Sequence, residues 1–557
     1  MKNQNKSYPE LNNRALGWLN FLYQKATTQD DWTEDGDPHE WWDRKSTPPM
    51  CSFPRFDLQE STYAIGLMAD RTPAWREIYT VILDEIAERS ITYWAAVDWL
   101  SQFGHDPDRS NYPLEWKGTL IPEEFWGHYD APGWTANGVA PWGLQPDPIG
   151  AEGNLFFKGW LNLTQALYTY VSGKDKWASP FNLAGVDRAR FEWTQHQLVD
   201  HLCETWKKTP MGPHCENTKS WPFCLSAAGL GLLMYDNVFN KEAHSAYKTW
   251  LEFTKDKYFG FNKKGSLEWV TMYYDSLKNH HHRTPPPHAL AIAFYVKPQD
   301  PEFAELLYRE GVRFLKWDDT TEPISDQIGL ADRMLALGLA VSKEFDDQLT
   351  YERLKLFAEK NFEPRFFGEN NSQFGFWFNL GENWPRGQLS ALAMCDEVSD
   401  PGGWEKLFNE PNLTKYHSPT IHGIDFPALG VKQAFHDDEQ GLLVFQVIDG
   451  DKTKSQQKTK ISISNIPKPD ETEIFCDGKS FNEFSVDASG DIILRTDISA
   501  HLFHVKTGFY LSKREKEDIR KDVQFQRKDI LEKPSTMKGT TSRLLIPTKR
   551  SLSCACC

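Results

Sequence analysis

The hydrophobic periodicity of this chain changes near residue 430, and that change limits the folds open to it. Before this point apolar residues recur at three- to five-residue steps, as on one face of an α-helix. Beyond it, short runs rich in β-branched residues are separated by Asp-Gly and Gly-Asp turns, which are typical of strands. The sequence therefore predicts a large helical part followed by a small β part.

The helical part contains many amphipathic segments joined by connections rich in Pro, Gly and Asp. We expect helices over 57–69, 74–103, 155–171, 186–206, 224–238, 241–256, 301–315, 325–342 and 345–360. About a dozen helices in consecutive hairpins predict a mainly α fold, a toroid of paired helices whose inner ends enclose a cavity.

Three domains follow from this division. Residues 1–430 form the predicted helical domain, and residues 431–510 a small β-sandwich-like appendage with the runs GLLVFQVIDGD, TKISISNI, TEIFCDG, DIILRTD and HLFHVKTGF. Residues 511–557 carry twelve Lys or Arg against six Asp or Glu. We interpret them as a basic tail, a short helix followed by disorder.

Composition excludes several classes of protein. The net charge of −16 argues against nucleic acid as a partner. The N-terminus has no apolar leader and no run of 18 apolar residues occurs, so a cytoplasmic location is expected. Nine scattered cysteines favour reduced thiols over a disulfide framework. The 14% aromatic content, with 22 Trp, fits either an aromatic-lined cavity or a Trp-rich core.

Two cysteines are the strongest candidates for chemistry. Cys215 lies in a Pro/Gly loop, and Cys224 follows Trp221-Pro222, where Pro favours the first turn of a helix. The positive end of the helix dipole would favour a thiolate there, so one thiol could protonate a leaving group while the other removes a proton. Two buried structural cysteines, or a disulfide between them, remain the alternatives.

The segments that contain these residues resemble one known family. PDPIGAEGNLFFKGWLNLTQALYTYVSG at 146–173, MGPHCENTKSWPFCLSAAGLGLLMYD at 211–236 and AYKTWLEFTKDKY at 246–258 are similar to the linalool dehydratase/isomerase family. The resemblance spans about residues 55–400. It implies an (α/α)6 barrel that removes or adds water on an allylic terpene alcohol, or moves its double bond, without a cofactor. By analogy Cys215 handles the hydroxyl, Cys224 handles the proton on carbon, and Glu216 is a supporting or acid partner.

The chain also departs from the family. The family's catalytic His in this helix is Trp160, one family tyrosine falls near Leu58 with Tyr63 beside it, and a Trp/Pro-rich insertion fills about 105–145. Only Asp31, Asp35 and Asp43 are candidates for an upstream carboxylate of the family pattern. We therefore expect a larger terpenoid or polycyclic substrate, because the faces of Trp rings can stabilise allylic cations or hold a hydrophobic polyene in a defined shape.

Further residues are predicted to bind substrate on the cavity wall or at its mouth. These are Trp160, Tyr63, Trp221, Phe223, His288, Tyr274 and Trp384. The tract HHHRTPPPHAL at 280–290 is interpreted as a solvated loop, so no metal site and no cofactor are expected. The terminal RSLSCACC and its basic flank suggest weak membrane association through lipidated cysteines, against the default of a disordered tail. Self-association of the chain is left open.

The sequence thus predicts a cofactor-independent lyase, isomerase or cyclase for terpenoid-like substrates. Three alternatives remain. A glycoside-processing enzyme on the same barrel would need two opposed carboxylates, for which Asp147, Glu152, Asp275 and Glu382 are the candidates. A pericyclase-like enzyme would only template a ring closure in its cavity. A non-catalytic binder of a hydrophobic ligand is the third.

Overall fold

The computed structural model describes residues 7–43, 54–97, 145–215, 219–276, 279–325 and 331–532. Helices form the larger part of its regular structure, and several antiparallel sheets accompany them, so the mainly α expectation is confirmed at this level. The helices are α1 (Asn13–Thr27), α2 (Pro54–Arg71), α3 (Glu77–Ser90), α4 (Tyr93–Ala96), α5 (Leu155–Ser172), α6 (Gln195–Lys208), α7 (Pro222–Phe239), α8 (Ser245–Tyr258), α9 (His288–Val296), α10 (Pro301–Leu315), α11 (Ala331–Glu344), α12 (Gln348–Asn361), α13 (Gly387–Val398), α14 (Gly403–Asn409) and α15 (Lys513–Glu532).

Six helices contact one another in a closed series. Helix α2 packs on α5, and the series continues through α7, α9, α11 and α13, which packs back on α2. Helices α5 and α7 are apolar around most of their circumference and almost wholly buried, as expected of helices covered on all sides. Close approach of these two requires Gly159, since a Cβ at that position would lie 2.4 Å from the Cβ of Ala228.

A second set of helices covers this series from outside. Helices α3 and α6 pack on α5, α8 on α7, α10 on α9, α12 on α11 and α1 on α13. Their sequences are amphipathic: α10 buries Phe303, Leu307, Tyr308 and Val312 at helical spacing and exposes its other face.

Short sheets interrupt the helical part, and the sequence analysis did not predict them. Their strands are β1 (Phe181–Ala184), β2 (Arg190–Trp193), β3 (Lys219–Ser220), β4 (Phe259–Phe261), β5 (Leu267–Asp275), β6 (His280–Thr284), β7 (Pro364–Phe367) and β8 (Gln373–Phe376). The helix expected over 186–206 begins only at Gln195, because Arg190–Trp193 pairs with Phe181–Ala184. The His tract is likewise not a loop, since His280–Thr284 pairs with β5.

The strands predicted after residue 430 are confirmed, and four more accompany them. They are β9 (Thr420–His422), β10 (Leu429–Asp437), β11 (Leu442–Asp449), β12 (Lys458–Ser464), β13 (Glu473–Cys476), β14 (Lys479–Ser480), β15 (Phe484–Val486), β16 (Ile492–Asp497) and β17 (His501–Lys506). One sheet has the order β10-β11-β17-β13-β14 and the other β15-β16-β12-β9. The division of the chain into three domains stays a prediction.

The basic C-terminal segment begins as a helix. Helix α15 packs on α7, burying Val523 and donating a hydrogen bond of 3.1 Å from Gln524 Nε2 to the Asn237 carbonyl. Residues 533–557, with the tail cysteines on which the membrane hypothesis rests, lie outside the described residues. Within the described ranges, no helix combines the length and the apolar character needed to cross a bilayer.

Candidate active site

The structure places the two predicted thiols side by side. Cys215 Sγ lies 3.6 Å from Cys224 Sγ, and both residues are buried, at 3% and 6% exposure. This separation is well beyond the ~2.05 Å of a disulfide. Cys224 lies in the first turn of α7, two positions after Pro222, as the sequence predicts. The pair can therefore exchange a proton without intervening atoms.

A second helix also begins at the pair. The backbone N–H of Phe156, in the first turn of α5, donates to Cys215 Sγ at 3.3 Å. The loop is fixed against α5 by the Leu155 N–H, 3.2 Å from the His214 carbonyl, and the Cys215 N–H donates to the Lys219 carbonyl at 2.7 Å. Two helix N-termini thus lie against the two sulfurs, and the N–H groups there carry partial positive charge.

A buried lysine that the sequence analysis missed adds positive charge beside Cys215. Lys158 Nζ donates to the Ala151 carbonyl at 2.7 Å and lies 3.3 Å from His201 Nε2. Burial lowers the pKa of Lys158 to about 8, against the opposing attraction of Asp147, Glu152 and Cys215. At neutral pH the side chain is mostly protonated. Its sequence signal is a lone cation within an otherwise apolar helix.

We predict that Lys158→Met slows turnover at neutral pH and that the loss shrinks as pH rises. Lys158 is mostly protonated below its pKa of about 8, and its positive charge supports a Cys215 thiolate at neutral pH. Without this charge the variant should have a lower kcat/KM than wild type at pH 7 and should approach wild type at higher pH, where hydroxide removes the thiol proton. Equal kcat/KM of variant and wild type at pH 7 would contradict the role given to Lys158.

Trp160 and Tyr63 belong to a buried network near the pair. The Trp160 indole N–H donates to the Tyr63 hydroxyl, and that hydroxyl lies 3.2 Å from the Tyr295 hydroxyl. The Tyr295 hydroxyl in turn donates to Glu60 Oε1 at 3.4 Å. The network connects α5, α2 and α9, so these predicted residues lie where three helices of the closed series meet.

Glu60 is the charged centre of this network. Its carboxylate forms an ion pair with Arg333 of α11 and accepts a hydrogen bond of 2.7 Å from Gln388 Nε2 of α13. Burial raises the pKa of Glu60, and the Arg333 guanidinium opposes this rise. These three residues were not predicted, since they belong to three different helices and nothing in the local sequence of each helix indicates that they meet.

Aromatic rings connect the network to the thiols. The Phe156 ring stacks on Trp160 at 4.1 Å between centroids, and Phe223 lies 4.9 Å from Tyr295 and 5.9 Å from Trp160. Phe156 is also the residue whose N–H reaches Cys215, and Phe223 immediately precedes Cys224. The thiol pair and the aromatic cluster thus adjoin each other, and together they are the candidate site.

The other predicted binding residues lie in several surroundings. The Trp221 ring is 4.9 Å from that of Tyr273, and the Tyr274 hydroxyl donates to an asparagine. His288 begins α9, and burial lowers its pKa to about 4. Trp384 lies in a different aromatic cluster, with the rings of α1 and of the segment before α2. Glu216 lies outside the described residues.

The carboxylates named for a glycosidase have structural partners. Asp147 accepts hydrogen bonds of 3.0 Å from a nearby backbone N–H and 3.2 Å from an indole. Asp275 lies 3.6 Å from Lys219 Nζ, Glu382 forms an ion pair of 2.7 Å with an arginine four residues on, and Glu152 is exposed. Each contact is typical of a turn or an ion pair.

The upstream acids differ among themselves. Asp43 is buried and accepts from the Gly387 and Gln388 N–H groups at 2.9 and 3.0 Å, which neutralises the N-terminus of α13. Asp31 is exposed in a turn, and Asp35 is exposed in an ion pair of 2.7 Å. We therefore assign Asp43 a structural contact.

Comparison with known proteins agrees with the sequence motifs. The family model described as linalool dehydratase/isomerase matches residues 124–361, a little under half of the chain, and no curated protein matches. Among solved structures, a D-mannose isomerase is 12% identical, with 68% of this chain and 95% of that chain covered and a TM-score of 0.33. A GH127 β-L-arabinofuranosidase from Geobacillus stearothermophilus T6 is 12% identical, with 88% and 75% covered and a TM-score of 0.27. The family match confirms, over the segment that holds both thiols, Lys158 and Trp160, that this chain resembles the linalool dehydratases/isomerases.

Proposed function

We propose that this protein is a lyase or isomerase that acts on allylic, terpenoid-like alcohols through acid/base chemistry at Cys215 and Cys224, without a cofactor. The observation that carries this proposal is the buried pair of sulfurs, 3.6 Å apart, at the N-termini of two helices. The match of residues 124–361 to the linalool dehydratase/isomerase family supports the reaction class.

The contacts around the thiols suggest how the roles divide. Cys215 receives the Phe156 N–H and lies in the field of Lys158, so it is the better candidate for the thiolate. Cys224 then keeps its proton and donates it to the departing hydroxyl, while Cys215 removes a proton from carbon. Water leaves, a double bond forms, and transfer from Cys215 to Cys224 restores the starting state. This division reverses the one implied by the family resemblance.

The aromatic cluster suits a cationic allylic intermediate. Loss of hydroxyl leaves positive charge spread over three carbons, and the faces of Trp160, Phe156 and Phe223 can stabilise it by cation–π attraction. These rings also favour a hydrocarbon skeleton over a sugar. We accordingly place a terpenoid rather than a carbohydrate at this site.

The same arrangement supports an (α/α)6 barrel. Six helices in closed series, each covered from outside by another helix, match what that architecture requires. Within it, the Glu60 network would lie across the centre, and the thiols at the end where α5 and α7 begin.

A substrate panel tests the proposal. Purified protein is incubated with allylic terpenoid alcohols of increasing chain length and, separately, with aryl glycosides, and products are identified by gas chromatography and mass spectrometry. We expect alkenes or allylic isomers from the alcohols and no release of aryl alcohol from the glycosides. Glycoside hydrolysis, or binding of the alcohols without turnover, would contradict the proposed function.

We predict that Trp160→His changes substrate preference. Indole has one N–H and no basic nitrogen, whereas imidazole supplies an acceptor and a proton partner. The smaller ring also leaves space beside Phe156. The variant should gain dehydration of short allylic alcohols relative to the wild type.

Trp160→Phe is the matched control, since it opens space without adding a basic nitrogen. If His and Phe variants gain the same activity, the change comes from volume, and the comparison with the family's His fails. The ratio of kcat/KM for short and long alcohols, measured for all three proteins, decides between these outcomes.

A further inference from the structure

A group of metal-ligand side chains lies at one end of strands β13 and β17, in a sheet that contains neither Cys215 nor Cys224. Cys476 ends β13, Asp477 follows it, and His501 begins β17. The sulfur, one carboxylate oxygen and one ring nitrogen lie within 4.8 Å of one another. Asp477 Oδ2 is 2.9 Å from His501 Nδ1 and 3.5 Å from Cys476 Sγ. Ligand atoms around one tetrahedral zinc are separated by a similar amount, on the order of 3.5 Å.

The backbone holds these groups in place. Asp477 occupies the left-handed region, with φ of 51°, in the tight Asp-Gly turn that joins β13 to β14. Its N–H donates to the Leu502 carbonyl at 2.9 Å, and its Oδ1 accepts from the Leu502 N–H at 3.0 Å. With Oδ1 held by backbone, Oδ2 is directed at the thiol and the imidazole.

The other side of the imidazole is also held by a carboxylate. His501 Nε2 lies 3.2 Å from Asp497 Oδ1. A metal-binding histidine commonly donates its remote N–H to a carboxylate, which fixes the ring and leaves the other nitrogen's lone pair for the metal. If Nε2 carries that hydrogen, the Nδ1 lone pair faces the Asp477 oxygen, an arrangement that a cation between the two atoms would stabilise.

We propose that Cys476, Asp477 and His501 form a zinc-binding site, with Asp497 as the residue that positions His501. One thiolate, one imidazole and one carboxylate are a donor set suited to Zn²⁺. On binding, the Cys476 proton is released to solvent. The Asp477 side chain is 52% exposed and that of His501 20%, so water completes the coordination from the solvent side. This proposal is independent of the reaction at Cys215 and Cys224.

Titration of the full-length, metal-stripped chain tests the site. Zn²⁺ is added in competition with a chromophoric chelator, and Co²⁺ is used in parallel because a cobalt–thiolate bond gives a near-ultraviolet charge-transfer band. Wild type should take up one more tightly bound equivalent than Cys476→Ser or His501→Ala, and both variants should lose the band of this site. Asp497→Asn should weaken binding by about 10–100-fold, as expected when a residue that orients a ligand is removed.

Other cysteines in the chain can also bind these metals, so the difference between proteins is the readout. Cys203→Ser and His504→Ala are the controls, since they remove the same side-chain types elsewhere. His504 is on the same strand as His501 but three positions along, so it lies on the opposite face of the sheet. Both control variants should titrate like wild type. If Cys476→Ser and His501→Ala also give wild-type stoichiometry, affinity and cobalt spectrum, there is no zinc site here, and the contacts are ion pairs of a protonated His501.

Discussion

Replacing either Cys215 or Cys224 by Ser is expected to lower turnover of an allylic terpenoid alcohol by about 10²–10⁴-fold, the usual effect of losing a positioned proton-transfer group. Serine has nearly the same shape as cysteine, but its hydroxyl is a far weaker acid and does not form an anion at neutral pH. The two sulfurs are 3.6 Å apart and buried, so no bulk water is expected to replace the missing group. The measurement is kcat and KM for each variant.

Cys395→Ser is the matched control for this prediction. Cys395 is also a buried thiol, at 2% exposure, but it lies on α13 and donates to the Ala391 carbonyl of its own helix. It should retain near-normal kcat. If the Cys215 and Cys224 variants also retain it, the thiols only line the cavity, and a pericyclase-like ring closure becomes the better account.

Arg333→Met is expected to destabilise the fold by about 3–5 kcal/mol, because it leaves the buried Glu60 carboxylate without its charged partner. The pH dependence has a definite sign. Burial raises the pKa of Glu60 in the folded state, so the folded chain binds more protons than the unfolded chain above the usual pKa of Glu, and stability falls as pH rises. Removing Arg333 enlarges the difference in bound protons between the folded and unfolded chains, because the guanidinium opposes the rise of the Glu60 pKa. The variant's deficit, measured by urea unfolding, should be larger at pH 8 than at pH 5.

A double-mutant cycle separates this effect from lost packing. Glu60→Gln keeps the shape of the side chain and removes its charge. Glu60→Gln combined with Arg333→Met should therefore be more stable at pH 8 than Arg333→Met alone. If Arg333→Met instead unfolds within about 1 kcal/mol of wild type, the pair behaves as a solvent-exposed ion pair, and Glu60 is not the charged centre of a buried network.

Local pattern was sufficient to find most of the regular structure and part of the site. Helical periodicity depends on residues three or four apart, so it predicted helices such as α5 and α7. The thiols were recognisable because Pro222 marks a helix start and a Pro/Gly loop surrounds Cys215. Trp160 and Tyr63 were named because they are aromatic residues near a family motif, and the structure joins them by a hydrogen bond.

What was missed depends on contacts with other segments of the chain. Strand β2 forms because it pairs with β1 across a short connection, and nothing in Arg190–Trp193 itself distinguishes it from the start of α6. The ion pair between Glu60 and Arg333 joins α2 to α11, and neither residue's local sequence indicates its partner. The proposed zinc ligands are similar, since 24 residues separate Asp477 from His501 along the chain and a strand pairing brings them together.

The central claim is that the two thiols transfer protons, one to the departing hydroxyl and one from carbon. The mass of the product formed in water labelled with heavy oxygen tests this claim most directly. An allylic terpenoid alcohol is incubated with the wild type and with Cys215→Ser/Cys224→Ser. We predict that the wild-type product has either lost the elements of water or exchanged its oxygen for the heavy isotope, and that the double variant forms neither. A product that retains every atom of the substrate and forms equally fast in both proteins would contradict the account.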